Sequence, residues 1–126
     1  MKKELKLVEK FHKKFRVPVG EVPTLISEER SNLRYELMKE EVEEYSTDGV
    51  NYSGTKNEKI SNIAKELADI LYTVYGTILE HGLQNKMEEI FLENHKSQMS
   101  KKYSSGKMTK SKDFKEVNIK KIINIF

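Results

Sequence analysis

The stretch TKNEKISNIAKELADILYTVYGTILEHG, residues 55–82, decides the fold. It opens on Thr55-Lys56-Asn57-Glu58, a capping-box pattern in which the Thr and Glu side chains each satisfy a free backbone N–H. It closes on Gly82, the residue type that ends a helix in the left-handed conformation. Between them Ile60, Ile63, Ala64, Leu67, Leu71, Val74 and Ile78 recur at helical spacing. The stretch predicts one long amphipathic helix with a start, a stripe and a stop.

On its N-terminal side Ser27 is an N-cap, and Glu28 and Glu29 complement the helix dipole, so a helix is expected to about Tyr45. A further helix is expected over about Lys3 to Phe15, with Leu7, Val8, Phe11 and Phe15 as its stripe. Arg16 to Pro23 holds both prolines and a glycine and reads as a connection; residues 46–57 read as a loop. On the C-terminal side a helix over about Asn85 to Met99 carries Met87, Ile90, Phe91 and Met99. From Lys101 the chain is Lys-rich and poorly periodic. Val117, Ile119, Ile122, Ile123, Ile125 and Phe126 then form an apolar end that reads as strand, helix or docking tail. Four helices with short connections predict an all-α, four-helix bundle-like fold. The expected organisation is a single domain over residues 1–126, with a core of about 3–100 and an irregular tail at 101–126.

Composition narrows the chemistry. The chain has 126 residues, 37% apolar and 34% charged, with no cysteine. Disulfides, thiolate catalysis and cysteine-ligated metals are excluded. No apolar run approaches the roughly 20 residues of a membrane span, and Met1-Lys2-Lys3-Glu4 leads into no apolar stretch. A cytoplasmic protein without membrane contact is expected. The net charge of +3 is small, but it is unevenly spread: Ser27 to Asp69 is acidic and Lys96 to Lys121 basic.

The acidic half contains Glu40-Glu41-Val42-Glu43-Glu44. At about 100° per residue, Glu40, Glu41 and Glu44 straddle the face that carries Leu33 and Leu37, whereas Glu43 points away. On the long helix Glu66 and Asp69 are neighbours along the edge of the apolar stripe, and Asn62 shares that edge. If the two helices pack antiparallel, Glu40, Glu44, Glu66 and Asp69 converge. Burying carboxylates is expensive unless they are compensated. The residues alone leave two readings, a solvated acid patch or an oxygen-only site for Mg²⁺ or Mn²⁺.

A resemblance bears on that choice. Glu40-Glu41-x-x-Glu44 followed by Glu66-x-x-Asp69 is similar to the signature of the all-α nucleoside triphosphate pyrophosphohydrolases, the MazG-like and phosphoribosyl-ATP pyrophosphohydrolase-like group. Leu33-Arg34-x-x-Leu37-Met38 and Leu67-Ala68-Asp69-Ile70-Leu71-Tyr72-x-Val74-Tyr75-Gly76 resemble the flanks of the two motifs. His95-Lys96-Ser97-Gln98-Met99-Ser100-Lys101 resembles a segment that follows in the phosphoribosyl-ATP branch, with Gln98 where that branch has Asn. The resemblance spans about residues 5–107. It implies Mg²⁺-dependent, or Mn²⁺-dependent, hydrolysis of a nucleoside triphosphate, dUTP or another deoxy or non-standard nucleotide, to monophosphate and pyrophosphate. It implies Glu40, Glu44, Glu66 and Asp69 as metal ligands and Glu41 as the base for the attacking water. Lys96, Lys101 and Lys107 become candidates for phosphate contact, and Ser97 and Gln98 for base or ribose. His95 becomes a pocket residue, Asn62 a support for the site, and Arg34 either a phosphate contact or the partner of a glutamate. A homodimer or homotetramer is expected. The competing classes are a non-catalytic nucleotide-sensing helical module and a basic-tail nucleic-acid binder; the second lacks the Arg and aromatic interleaving of such surfaces.

Overall fold

The structure is a computed structural model, and it describes residues 1–104, 106–110, 112 and 114–123. Ile125 and Phe126 of the expected apolar end lie outside the described residues. The fold is all-α: α1 (Lys2–Lys14), α2 (Glu28–Glu44), a π-helical segment (Tyr45–Val50), α3 (Lys56–Glu80), α4 (Met87–Met99) and α5 (Ile119–Ile123), with one two-stranded sheet of β1 (Lys102–Ser104) and β2 (Lys107–Thr109). By internal contacts the chain divides into two compact units, Met1–Leu83 and Gln84–Phe126.

In the first unit α1, α2 and the π segment all pack on α3, which is about 38 Å long at 1.5 Å per residue. Both ends of α3 are closed. Thr55 Oγ1 accepts the Glu58 N–H at 3.2 Å, and the Glu58 carboxylate accepts the Thr55 N–H at 3.4 Å, completing the capping box. Gly82 sits at φ +66°, and a side chain there would run into the Val22 carbonyl. The Gly82 and Leu83 N–H groups donate to the Leu79 and Ile78 carbonyls at 3.1 and 3.0 Å, the paired bonds of a Schellman stop.

The proline-bearing connection is strapped to this end of α3. Gly20 N–H donates to the Leu79 carbonyl at 2.7 Å and Thr24 N–H to the His81 carbonyl at 2.9 Å. Ser27 caps α2 by accepting the Arg30 N–H at 3.1 Å. The packed face of α1 differs from the expected stripe. Leu5, Val8 and His12 are buried, whereas Leu7, Phe11 and Phe15 are exposed. His12 takes the inner position because its Nδ1 donates to the Pro18 carbonyl at 3.0 Å, tying α1 to the connection. Phe11 instead meets Tyr72 edge-to-face at 5.5 Å.

The expected loop at 46–57 is shortened to residues 51–55. Tyr45–Val50 continues α2 as a wider helix, with the Asn51 N–H donating to the Ser46 carbonyl five residues back at 2.8 Å. The composition Ser46-Thr47-Asp48-Gly49 favours a loop, and packing overrides it. Gly49 is buried, and a Cβ there would lie 3.2 Å from Ile63 Cγ1, so the missing side chain lets the segment lie close on α3.

In the second unit α4 buries Ile90 and Ser97, and α5 packs on α4 with Ile122 buried. β1 and β2 pair antiparallel, Lys102 opposite Thr109, with Gly106 at φ +78° in the turn. The tail therefore carries a short hairpin and a short helix between irregular stretches. Among the described residues, no helix is long and apolar enough to cross a membrane.

Candidate metal centre

The carboxylates are placed by the pairing of α2 and α3, and that pairing is held by a buried ion network. The Glu80 side chain is fully buried at the end of α3. Arg30 grips it with two bonds, Nε to Oε1 at 2.9 Å and Nη2 to Oε2 at 2.7 Å. Arg34 Nη1 reaches the same carboxylate at 3.2 Å. Arg34 Nη2 also donates to the Thr73 carbonyl at 2.8 Å, and its Nε to Thr77 Oγ1 at 3.1 Å. Burial lowers the pKa of Arg34 and Glu80 opposes this; the Glu80 hydrogen bond raises that of Arg30. Of the two roles the sequence offers Arg34, the structure shows the glutamate pair: each guanidinium nitrogen has a partner, and the acid is Glu80 on the other helix.

Farther along the same pair, carboxylates converge. Oxygens of Glu41, Glu66 and Asp69 lie within 4.8 Å of one another, and so do oxygens of Glu44, Asp48 and Glu66. Glu66 is common to both groups and its side chain is 7% exposed. Glu41 Oε2 and Glu66 Oε2 are buried and have no hydrogen-bond partner. Burial, a hydrogen bond with Glu44 and the charges of Glu44, Asp69 and Glu66 push the Glu41 carboxyl up to about 7. Burial likewise raises Glu66; Lys65 opposes the shift, and Glu44, Asp69 and Asp48 reinforce it. The nearby cation is Lys65, exposed, whose Nζ lies 2.6 Å from Asp69 Oδ2 and 4.0 Å from Glu66 Oε1.

The residues singled out from the sequence separate on this geometry. Glu41, Glu44, Glu66 and Asp69 come together. Glu40 is exposed and belongs to neither group. Asn62 is half-buried one turn before Glu66. His95, Lys96, Ser97, Gln98, Lys101 and Lys107 belong to the second unit. There His95 is exposed, Lys96 pairs with Glu93 at 2.9 Å, and Lys107 is exposed on β2. Ser97, Gln98 and Lys101 line a groove of about 310 Å³ with Lys110 and Phe114.

Sequence reasoning missed Asp48, Lys65 and Glu80. Asp48 follows Glu44 by four residues and Lys65 precedes Asp69 by four, both visible spacings. Glu80, an acid beside Ile78 and Leu79 at the end of an apolar stripe, matched the pair Arg30 and Arg34 on one side of α2.

Oxygen donors alone, two of them buried and unpartnered, fit a hard divalent cation such as Mg²⁺ or Mn²⁺. Exposed acids such as Glu40 and Glu43 are hydrated; a buried carboxylate oxygen must be compensated by a proton or a cation. A search of curated proteins finds no match to the chain. The family model for phosphoribosyl-ATP pyrophosphohydrolase matches residues 8–98, a span that begins within α1 and holds α2, the π segment, α3 and every carboxylate of the cluster. The helical fold and the match over most of the chain lead to one conclusion: the chain belongs to the phosphoribosyl-ATP pyrophosphohydrolase family, within the all-α nucleoside triphosphate pyrophosphohydrolase superfamily.

Proposed function

We propose that the protein hydrolyses a nucleoside triphosphate between the α and β phosphates, releasing a monophosphate and pyrophosphate. The observation that supports it most is the pair of buried, unpartnered oxygens on Glu41 and Glu66 in a family of phosphoanhydride hydrolases. Glu41, Glu44, Glu66 and Asp69 hold Mg²⁺ or Mn²⁺. When bound, the cation neutralises triphosphate charge and makes water a better nucleophile near neutral pH. Glu41 is assigned to the cation rather than to the base role implied by resemblance, because one of its oxygens lies within 4.8 Å of oxygens of Glu66 and Asp69. Glu40 stays outside the ligand set. Arg30, Arg34 and Glu80 keep α2 and α3 in the alignment that brings the four carboxylates together. Lys96, Lys101 and Lys107 remain the candidate phosphate contacts, with Ser97, Gln98 and His95 for base or ribose and Asn62 as a support beside Glu66.

A panel of triphosphates including dUTP, incubated with Mg²⁺ and assayed for both phosphate products, tests this. Pyrophosphate is expected from at least one nucleotide. Release of orthophosphate would sink the cleavage position, and binding without turnover would leave a nucleotide-sensing module. Replacing Glu41 by Gln should abolish Mn²⁺ binding at its site, while the Glu40→Gln variant retains it.

A second copy of this chain is the proposed partner. The α3 stripe has core spacing, yet Ile60, Leu67 and Leu71 are 59%, 47% and 50% exposed. Leu7, Val8, Ala68, Leu71, Tyr72 and Tyr75 line an apolar groove of about 190 Å³ between α1 and α3. A face of this kind marks an interaction surface. Sedimentation equilibrium should show a homodimer or homotetramer, and Leu71→Asp should shift it to monomer. A monomeric wild-type chain would remove the proposal.

A further inference from the structure

We propose that the second unit binds single-stranded nucleic acid along a basic path centred on Phe114. The inference does not depend on the hydrolysis proposed above. The family match ends at residue 98. Of the lysines that carry the inference, Lys96 alone lies inside that match; Lys101, Lys110, Lys112 and Lys115 lie beyond it, as does Phe114.

The sequence supplies the charge. Lys96 to Lys121 holds nine lysines, two acids and no arginine. Such a run by itself makes a solvated tail. The fold changes this by turning the run back onto the end of α4, with Ser100 as the pin. Ser100 Oγ donates to the Ser97 carbonyl at 2.7 Å and accepts the Lys115 N–H at 2.9 Å. Phe114 and Lys115 are thereby set beside Lys96 and Met99 of the last turn of α4.

Two open grooves meet at Phe114. One, of about 690 Å³, is lined by Lys96, Met99, Lys112, Phe114 and Lys115. The other is the groove of about 310 Å³ that holds Lys101, Lys110 and Glu116, again with Phe114 in its wall. The Lys110 ammonium lies 5.0 Å from the centroid of the Phe114 ring. Lys96 pairs with Glu93 at 2.9 Å and Lys110 with Glu116 at 3.6 Å. Among the described residues, no carboxylate pairs with Lys101, Lys112 or Lys115.

Single strands are held by ammonium groups that follow the phosphates and by aromatic faces on which bases stack. Both are present here, with cations in each groove and a shared ring between them. A backbone can pass from one groove to the other while a base stacks at the ring. A duplex offers no free base face for that ring, and a single nucleotide leaves one groove empty. The lysines with no acid partner are the ones whose counterions a strand would release on binding.

Fluorescence anisotropy of a labelled oligo(dT) twelve nucleotides long, titrated with the full-length chain, tests this without turnover. The wild type should bind it at physiological salt. Replacing Lys112 and Lys115 together by Ala should weaken binding at least tenfold and lower the salt slope by about 1.4, at about 0.7 per lost phosphate contact. Both lysines are exposed, so this variant should keep the thermal midpoint of the wild type. Phe114→Ala should weaken binding about fivefold or more, and Phe114→Trp should restore it. Replacing the exposed Lys6 and Lys10 of α1 by Ala removes the same charge elsewhere and should change neither affinity nor slope. An equal loss in that control would overturn the inference. So would no binding by the wild type, equal affinity for a duplex of the same length or for an oligoglutamate peptide, or full displacement by dTTP at matched nucleotide concentration. A chain that releases pyrophosphate and ignores oligo(dT) keeps the proposed function and loses this site. A chain that binds oligo(dT) and cleaves no triphosphate does the opposite.

Discussion

The α2–α3 pair buries carboxylates in two places and treats them oppositely. At the N-terminal end of α2, Glu80 is fully buried and receives two arginines. At the C-terminal end of α2, Glu41 and Glu66 bury oxygens that receive nothing. Burying an ionised carboxylate costs free energy in both places. At Glu80 the chain compensates it from within; at the cluster it does not, and Glu41 responds by holding its proton up to about 7. The same fold therefore shows a buried acid that is paired from within the chain and a buried acid that is not.

The first way to break the contrast is to neutralise one member of each set. Glu41→Gln should cut turnover by more than about 100-fold, since even residues behind the ligands of a metal cost 10–100-fold. Its stability without metal should equal or exceed that of the wild type, because an uncompensated acid has been removed. A stability loss in Glu41→Gln would place that acid with Glu80 as a structural group. Arg34→Ala should do the reverse. Leaving Glu80 partly unpaired should cost about 3–5 kcal/mol in urea denaturation, and turnover per folded molecule should fall less than in Glu41→Gln. A cost below about 1 kcal/mol would mean that the network is not what aligns the helices.

A third, smaller effect is pH-dependent. The folded-state pKa of Glu41 lies above its ordinary value of 4.5, so the folded chain binds that proton more tightly than the unfolded chain. This contribution is favourable below about 4.5 and is lost as pH rises through about 7. Metal-free protein should accordingly lose stability across that window, and saturating Mg²⁺ should remove or reverse the slope at pH 8. A slope unaltered by Mg²⁺ would detach the cluster from the cation. Smallest is Lys65→Ala. Lys65 is 70% exposed, so water screens its ion pair with Asp69 and the thermal midpoint should stay near that of the wild type. Removing the competing ammonium should nevertheless tighten Mn²⁺ binding; weaker binding in Lys65→Ala would show that the lysine supports the site.

Signals carried by neighbouring residues were readable in the sequence. The Thr55 box, the Gly82 stop and the Ser27 cap each need only a local backbone geometry, and all three are present. Glu66 and Asp69 were readable as neighbours because a three-residue spacing fixes them on one side of a helix wherever it packs. What depended on packing between elements was not. The face of α1 turned on a bond from His12 to Pro18, and the π segment on the fit of Gly49 against Ile63. Arg34 was read as a phosphate contact or the partner of a neighbouring glutamate, and its partner proved to be Glu80, 46 positions away in a chain whose numbering alone carries no distance. Glu40 and Glu41 are adjacent, and small differences in helix phase decided which faced inward.

The ends of α3 have a consequence for how the centre moves. Local opening starts at helix ends, where backbone groups lack partners. α3 is closed by a box at one end and a paired stop at the other, and Glu66 and Asp69 lie in its middle turns. α2 has no such closure after Glu44; it runs on into a wide turn. One wall of the centre is thus an anvil and the other a hinge leaf. Amide exchange should be slow along the middle of α3 and faster from Tyr45 to Val50.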